Sequence, residues 1–283
     1  MPELPEVEIL ARHLRPLICG KTIREVDVRR VKVLAPNSPR EFRQTVVGAK
    51  FTGLSRRGKY LLFQLRSKPG GKPLRLLGHL GMTGRFYLAR KNERLPRHAV
   101  VVLDLGRKNF IYEDTRYFGR LTLDLSAVKK LGPEPLADGF DPTQFGRSLK
   151  RSRQAIKVRL LDQTLVAGIG NIYASEALFR AGLSPQRPAG KLTTGQVTRL
   201  WLAIRKTLRE AISRGSTVPL NFGGSRSDGL FYFGRAPGAP DFYEERLLVY
   251  DRAGRPCPRC ARVIRRIVQA GRSTFYCPHC QKA

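Results

Sequence analysis

The sequence predicts an α+β protein: a single N-terminal helix, a long β-rich half, and a helical half that closes in a four-cysteine module. Three observations carry this. Val7, Leu10, Ala11, Leu14 and Leu17 recur at helical spacing. Roughly residues 21–125 hold many short β-patterned runs separated by turn signals. Beyond Pro142 the periodicity becomes helical until Cys257, Cys260, Cys277 and Cys280, which fall within the last 27 residues.

Each element has a local reason. Pro5 at an early helical position, with Glu6 and Glu8 in the first turn, suits a helix start from about Pro5 to Leu17. The runs "KTIREVDVRRVKVL", "KYLLFQL", "HAVVVLDL" and "RLTLDL" read as strands, with turns at Arg57-Gly58 and Gly70-Gly71. So many short strands form a sandwich or a barrel. "LGPEPLADGFDP", with three prolines and two glycines, reads as a linker over 132–142. Asp141-Pro142-Thr143-Gln144 then starts a helix, and further helices are expected at about 154–163, 171–181 and 194–213. The last of these opens with a Thr193-x-x-Gln196 capping box. The resulting division is 1–131, a linker 132–142, a helical domain 143–245 with a Gly- and aromatic-rich loop at 215–241, and a cysteine module 246–283.

Charge narrows the class of partner. Fifty-three Lys+Arg against 22 Asp+Glu leave a net charge of +31 and a pI near 11.0. Such a surplus calls for a polyanion, and DNA or RNA is the usual one. An anionic membrane is the competing partner, but no apolar run approaches the ~18 residues that span a bilayer, and no signal-peptide core follows Met1. An intracellular, soluble protein is expected.

Five stretches bear chemistry. "CPRC" and "CPHC" present four thiolates at the spacing of a zinc ribbon or finger; Cys19 stands apart. Between the knuckles a β-hairpin is expected to turn at Ala270-Gly271, placing Arg272 just past the turn, within reach of a groove. "GIGNIYASEALF" sets two glycines and Asn171 before a helix, a geometry suited to a phosphate and equally to an ordinary interhelical turn. Lys59 of "SRRGKYLLF" follows a turn glycine and is either a solvated edge lysine or a phosphate contact. Met82 of "HLGMTGRF", with Arg116 and Phe118 of "DTRYFG", supplies an apolar wedge, a guanidinium and an aromatic able to replace an extruded base; core packing is the plainer use of Met82 and Phe118. Finally, trimming of Met1 would free the secondary amine of Pro2 beside Glu3. An α-amino group titrates near ~8, so part of it is neutral and nucleophilic at cellular pH. A proline at this position is otherwise only a helix start.

Together these stretches resemble the bacterial formamidopyrimidine-DNA glycosylase family of the Fpg/Nei superfamily. "PELPEVE", "RRGKYL", "HLGMTG", "LGPEPL", "LLDQTLVAGIGNIYASEALFRAGLSP" and "GRSTFYCPHCQ" match in order and spacing over almost the whole chain. The resemblance implies an N-terminal helix with an antiparallel β-sandwich, a helix–two-turns–helix domain, and a four-cysteine zinc finger on a β-hairpin, holding one structural Zn²⁺. It implies a cytoplasmic, monomeric bifunctional enzyme, nucleoid-associated while searching, that acts on double-stranded DNA bearing oxidised bases or abasic sites. It would remove oxidised purines and cut the strand by β,δ-elimination. Pro2 would be the Schiff-base nucleophile and Glu3 the acid/base. Lys59 would contact phosphate and assist catalysis. Met82, Arg116 and Phe118 would fill the gap, and Asn171 and Arg272 would clamp phosphates. His98, Lys157 and Glu176 also fall at matching positions among the DNA-binding residues, Lys157 as a DNA-facing lysine and Glu176 as a structural or active-site carboxylate.

Two departures are visible. "RHAV" (97–100) keeps His98 but sets Ala99 beside it, and the middle of 215–250 is longer and richer in Gly and aromatics than is usual. In the family that the chain resembles, that second region bears on lesion choice. Two alternatives therefore stand: a Nei-like glycosylase for oxidised pyrimidines, and a non-enzymatic zinc-ribbon nucleic-acid binder.

Overall fold

A computed structural model describes residues 2–67, 71–215 and 247–282. The described chain divides into two compact units, one ending at Lys130 and the other beginning at Leu131 and including the cysteine module.

In the first unit, α1 (Leu4–Ile18) buries Leu4, Val7, Leu10, Ala11, Leu14 and Ile18; this is the stripe that the helical spacing predicts except at its end, where Leu17 is exposed and Ile18 is buried instead. The chain enters it through Glu3, whose backbone N–H donates to the Glu6 carboxylate at 2.8 Å. Then follow β1 (Glu25–Val28), a 3₁₀ turn at Val31–Leu34, α2 (Pro39–Val46), β2 (Lys50–Arg57), β3 (Tyr60–Arg66), β4 (Pro73–His79), β5 (Arg85–Arg90), β6 (Ala99–Asp104), β7 (Lys108–Glu113), β8 (Arg120–Thr122) and the short α3 (Ser126–Lys129). The strands form two antiparallel four-stranded sheets, in the orders β1-β6-β7-β5 and β2-β3-β4-β8. Aromatic rings join them. Phe63 of β3 meets Phe86 of β5 and Phe110 of β7 edge-on, with centroids 5.5 and 5.7 Å apart. The result is the β-sandwich that the resemblance implied.

The run "KTIREVDVRRVKVL" is not one long strand: Thr22 makes an isolated bridge to Lys50, Glu25–Val28 forms the strand, and Val31–Leu34 coils to bury Val33 and Leu34. Helix α2 lies inside the stretch expected to be all β. Its signal is present in the sequence, since Ser38, Pro39 and Glu41 form a capping box with proline in the first turn.

The second unit holds α4 (Pro142–Lys150), α5 (Ile156–Leu160), α6 (Asn171–Ala181), a 3₁₀ turn at Ala189–Lys191, α7 (Thr194–Gly215), and the hairpin β9 (Arg265–Gln269) and β10 (Arg272–Tyr276). Both expected caps form: Gln144 N–H donates to Asp141 at 2.7 Å, and Thr193 and Gln196 cap reciprocally. Helix α5 stops earlier than expected because Asp162 accepts the Thr164 N–H and hydroxyl, turning the chain. The stretch expected as a linker packs as part of this unit. Trp201 Nε1 donates to the Phe140 carbonyl, and Arg205 donates to the carbonyls of Pro135 and Ala137. Prolines and glycines there serve tight packing: a Cβ on Gly132 would sit 2.3 Å from the Thr164 carbonyl oxygen. The turn at Gly70 and most of the expected loop at 215–241 lie outside the described residues.

Phe63→Ala should cost about 3–5 kcal/mol, because it leaves a cavity where the two sheets meet. Urea unfolding followed by far-UV circular dichroism measures this.

Candidate nucleic-acid interface and metal centre

Pro2 and Glu3 are both buried at the head of α1. The helix is anchored on β2: Arg15 donates to the Leu54 carbonyl at 2.7 Å, and Arg56 donates to Glu8 at 2.9 Å. Burial works to raise the Glu8 carboxyl, but the Arg12 and Arg56 guanidiniums outweigh it and hold it below its ordinary value. Glu6 is the nearby residue that sequence reasoning passed over as a mere first-turn acid. Its spacing of three from Glu3 is the available signal, since that is the capping-box interval.

Lys59 follows Gly58, which takes φ +56° in the β2–β3 turn. It is not a solvated edge lysine but buried. His79, which pairs with Tyr60 across β3 and β4, lies near enough for the Lys59 charge to act on it. Burial first, then Lys59 and Arg120, lower the His79 pKa to about 4, against a pull upward from Asp114. The neutral ring accepts the Gly81 N–H on Nδ1 at 3.1 Å. His79 was missed because a lone histidine at a strand end carries no pattern of its own.

Met82, Arg116 and Phe118 come together on neighbouring loops. Met82 is 39% exposed and Phe118 58% exposed, so neither is core. The Arg116 guanidinium lies 5.0 Å from the Phe118 ring centroid. The two loops touch backbone to backbone: a Cβ on Gly81 would stand 2.7 Å from the Gly119 nitrogen. Tyr117 adopts φ +56°, which for a tyrosine is strained. It is held by the His98 imidazole at 3.2 Å and by Arg30 stacked 4.7 Å from its ring centroid. His98 thus braces the loop that carries Arg116.

In the second unit Gly170, not Asn171, is the N-cap of α6. The Asn171 side chain instead donates to the Ser273 carbonyl at 2.9 Å and accepts from Lys157. Lys157 was expected to face DNA, and that expectation is corrected: its side chain is fully buried. Its ammonium donates to Asn171, to the Ser273 carbonyl at 3.1 Å and to Thr274 Oγ1 at 2.7 Å. Three acceptors match the three N–H donors, so it pins α5 and α6 to β10. Of the two roles expected for Glu176, its contacts are those of the structural carboxylate. Its carboxylate accepts the N–H groups of Leu248, Val249 and Tyr250, each at 2.9 Å, and is buried among the described residues. Burial pushes its pKa up, while the three N–H bonds favour the ionised form.

Arg272 is exposed at the first position of β10, directly after Ala270 and Gly271, whose φ values of 47° and 70° make the tight hairpin turn. Behind it the four thiols converge. Cys257 and Cys280 sulfurs are 3.8 Å apart, Cys260 and Cys277 3.5 Å, and all lie within 4.8 Å of one another. Tetrahedral Zn–S bonds of about 2.3 Å place sulfurs about 3.8 Å apart, so the set fits one Zn²⁺. Backbone N–H groups of Arg259 and Cys280 point at Cys257 and Cys277 sulfur, as thiolate ligands require.

A cationic chain that displays exposed apolar and aromatic side chains beside a guanidinium, and a zinc hairpin tipped with arginine, is a zinc-containing DNA-binding protein. Three family descriptions match in succession. They are "Formamidopyrimidine-DNA glycosylase N-terminal domain" over residues 1–121, "Formamidopyrimidine-DNA glycosylase H2TH domain" over 131–220, and "Zinc finger found in FPG and IleRS" over 254–283. The formamidopyrimidine-DNA glycosylase of Thermus thermophilus is 42% identical over 290 residues, covering 99% of this chain and 98% of its own. That of Carboxydothermus hydrogenoformans is 42% identical over 284 residues and 100% of both chains. The Lactococcus lactis Fpg (MutM), solved with DNA containing an N7-benzyl-Fapy-dG, superposes with a TM-score of 0.85 at 33% identity over 100% of both chains. The chain belongs to the formamidopyrimidine-DNA glycosylase family.

Two outcomes follow. Between the ordinary histidine value of 6.5 and about 4, the unfolded chain binds a proton at position 79 that the folded one refuses. Stability therefore falls as pH falls through that window, by about 3 kcal/mol at most, and His79→Gln should flatten this acid limb in melting curves taken against pH. Cys277→Ser or zinc chelation should loosen β9–β10 and lower DNA affinity about tenfold, since phosphate contacts depend on the presenting hairpin. Metal analysis with a filter-binding titration checks it, and unchanged affinity after zinc loss would contradict it.

Proposed function

We propose that this chain is a base-excision-repair glycosylase that removes oxidised purines, 8-oxoguanine and formamidopyrimidines, and then cleaves the abasic strand. The observation that carries the reading is the burial of Pro2 and Glu3 together at the N-terminal end of a 15-residue helix. The positive end of the dipole disfavours a protonated amine, so once Met1 is removed the Pro2 nitrogen is kept neutral and nucleophilic. While Met1 remains, that nitrogen is an amide and inert.

The chemistry runs in balanced steps. The Pro2 nitrogen attacks C1′ as the glycosidic bond breaks and the base leaves with a proton. Loss of the N–H proton leaves a neutral aminal; as Glu3 protonates the ring oxygen the C1′–O4′ bond breaks, opening the sugar and giving an iminium at C1′ that is positive without protonation of nitrogen. This electron sink acidifies C2′; loss of its proton expels the 3′-phosphate, and a second elimination expels the 5′-phosphate. Hydrolysis of the remaining imine returns the amine. Glu3, adjacent to the nitrogen, serves as acid and base for the ring oxygen and C2′. Lys59 neutralises phosphate beside the lesion, and Asn171 and Arg272 hold the backbone on either side. Met82, Arg116 and Phe118 occupy the space of the extruded nucleotide, offsetting lost stacking of order a few kcal/mol. In this scheme residues 1–131 are catalytic, 143–245 bind DNA and bear on lesion choice, and 246–283 present Arg272. The setting proposed is the bacterial cytoplasm, on chromosomal DNA.

A Nei-like preference is the second reading. The Lactococcus lactis Fpg has also been solved with DNA containing an oxidised pyrimidine, at 32% identity and a TM-score of 0.85.

Borohydride should trap a covalent adduct between Met-processed protein and a lesion strand, and Pro2→Gly should abolish or severely slow excision. Protein that binds DNA yet never crosslinks would end the enzymatic reading. Duplexes carrying 8-oxoguanine or thymine glycol divide the two lesion classes. Affinity should fall steeply with salt, because each neutralised phosphate releases counterions with a log–log slope of about −0.9; a nearly flat response contradicts the charge argument.

A further inference from the structure

The first unit contains a fully buried carboxylate that none of the chemistry above uses. Asp114 follows β7, is 0% exposed, and takes part in four hydrogen bonds. Its Oδ1 accepts the Thr83 hydroxyl at 2.6 Å and the Arg116 N–H at 3.1 Å. Its Oδ2 accepts the Gly119 N–H at 2.9 Å, and its own N–H donates to the His98 carbonyl at 3.1 Å. The Arg116 N–H also reaches Thr83 Oγ1 at 3.2 Å, closing a triangle. The carboxylate thereby joins the turn after Met82 to the loop carrying Arg116 and Phe118, and the backbone N–H of the same residue ties both to the segment carrying His98.

We propose that Asp114 is the positioning residue of the wedge: it holds Met82, Arg116 and Phe118 aligned before DNA arrives and so sets how readily a stacked, paired nucleotide is opened. This rests on the reading of those three side chains as the groups that replace an extruded nucleotide. An unaligned loop must lose its conformational freedom at the moment of insertion, and that cost adds to unstacking. A loop already fixed by three donors on one anion has met the cost on folding. The acceptor must be an anion, because both oxygens face donors. An asparagine in its place would set an NH₂ against either the Gly119 N–H or the Thr83 and Arg116 donors. No other side chain of the loop can substitute, since Gly81 and Gly119 approach too closely to admit one.

The test compares two substrates under single turnover: a fully paired duplex bearing 8-oxoguanine, and the same strand carrying a preformed abasic site opposite a gap, where nothing must be unstacked. A 2-aminopurine beside the lesion reports opening. Asp114→Asn should slow excision from the paired duplex about tenfold, the effect of one charge-assisted hydrogen bond lost from the opening step. It should also suppress the 2-aminopurine rise, while cleavage at the preformed abasic site falls much less. Thr83→Val should give the same split more weakly, and Thr83→Ser, which keeps the hydroxyl, should restore opening. If Asp114→Asn does not fold, Thr83→Val carries the comparison. Equal losses on both substrates, or wild-type opening in the variants, overturn the proposal. Wild-type protein that fails to cleave the abasic strand overturns the enzymatic reading itself; wild-type cleavage with unaffected variants overturns only the role of Asp114.

Discussion

A chain with 53 basic side chains and 22 acidic ones cannot neutralise itself through ion pairs. Structural cations must then find other acceptors, and here they find backbone carbonyls. Arg15 takes Leu54, Arg43 takes Val26, Arg205 takes Pro135 and Ala137, and Arg259 takes Phe179 and Arg180. These bonds satisfy carbonyls on the edge strands β1 and β2, in the stretch before α4 and at the end of α6 that would otherwise need water. Three buried carboxylates take backbone N–H groups instead: Glu6 at the entry to α1, Asp114 between the loops of Met82 and Phe118, and Glu176 before the cysteine module. The remaining positive charge is left for a polyanion.

Preorganisation runs through the first unit. The sandwich core of Phe51, Phe63, Phe86, Phe110 and Tyr112 makes a rigid base. From that base Tyr112 donates to the His79 carbonyl at 3.2 Å, and His79 in turn accepts from Gly81. Met82 and Phe118 can remain exposed because their backbones, not their side chains, are what the core holds. Apolar groups kept in water and fixed in place are suited to a partner that offers a hydrophobic gap between stacked bases.

In the second unit the metal centre and the helices are mechanically one. Lys157 ties α5 and α6 to β10 of the hairpin, Arg259 of the first cysteine knuckle caps the end of α6, and Gln281 beside the second donates to the Leu183 carbonyl. The zinc site therefore fixes more than its own loop. Lys157 also illustrates how misleading residue type can be: a lysine in a basic, DNA-binding chain is here a buried fastener.

Much was legible from sequence because it is local. The first helix, the Asp141 and Thr193 caps, the hairpin turn at Ala270-Gly271 and the four metal ligands all follow from residues within a short stretch of one another, where spacing and backbone preference decide the outcome. Helix α2 was equally local, and its capping box was simply outweighed by the surrounding β pattern. Tertiary structure alone decided the rest: that Lys157 and Glu176 face inward, that 132–142 packs rather than links, and that Lys59 lies beside His79. It also decided that Asp114, unremarkable in "DTRYFG", gathers three segments. The partners concerned are distant along the chain, 31 positions apart for Thr83 and Asp114 and 117 for Lys157 and Thr274. Over such separations burial and hydrogen-bond satisfaction are properties of the assembled core, and local sequence carries no record of which acceptor a given side chain will meet.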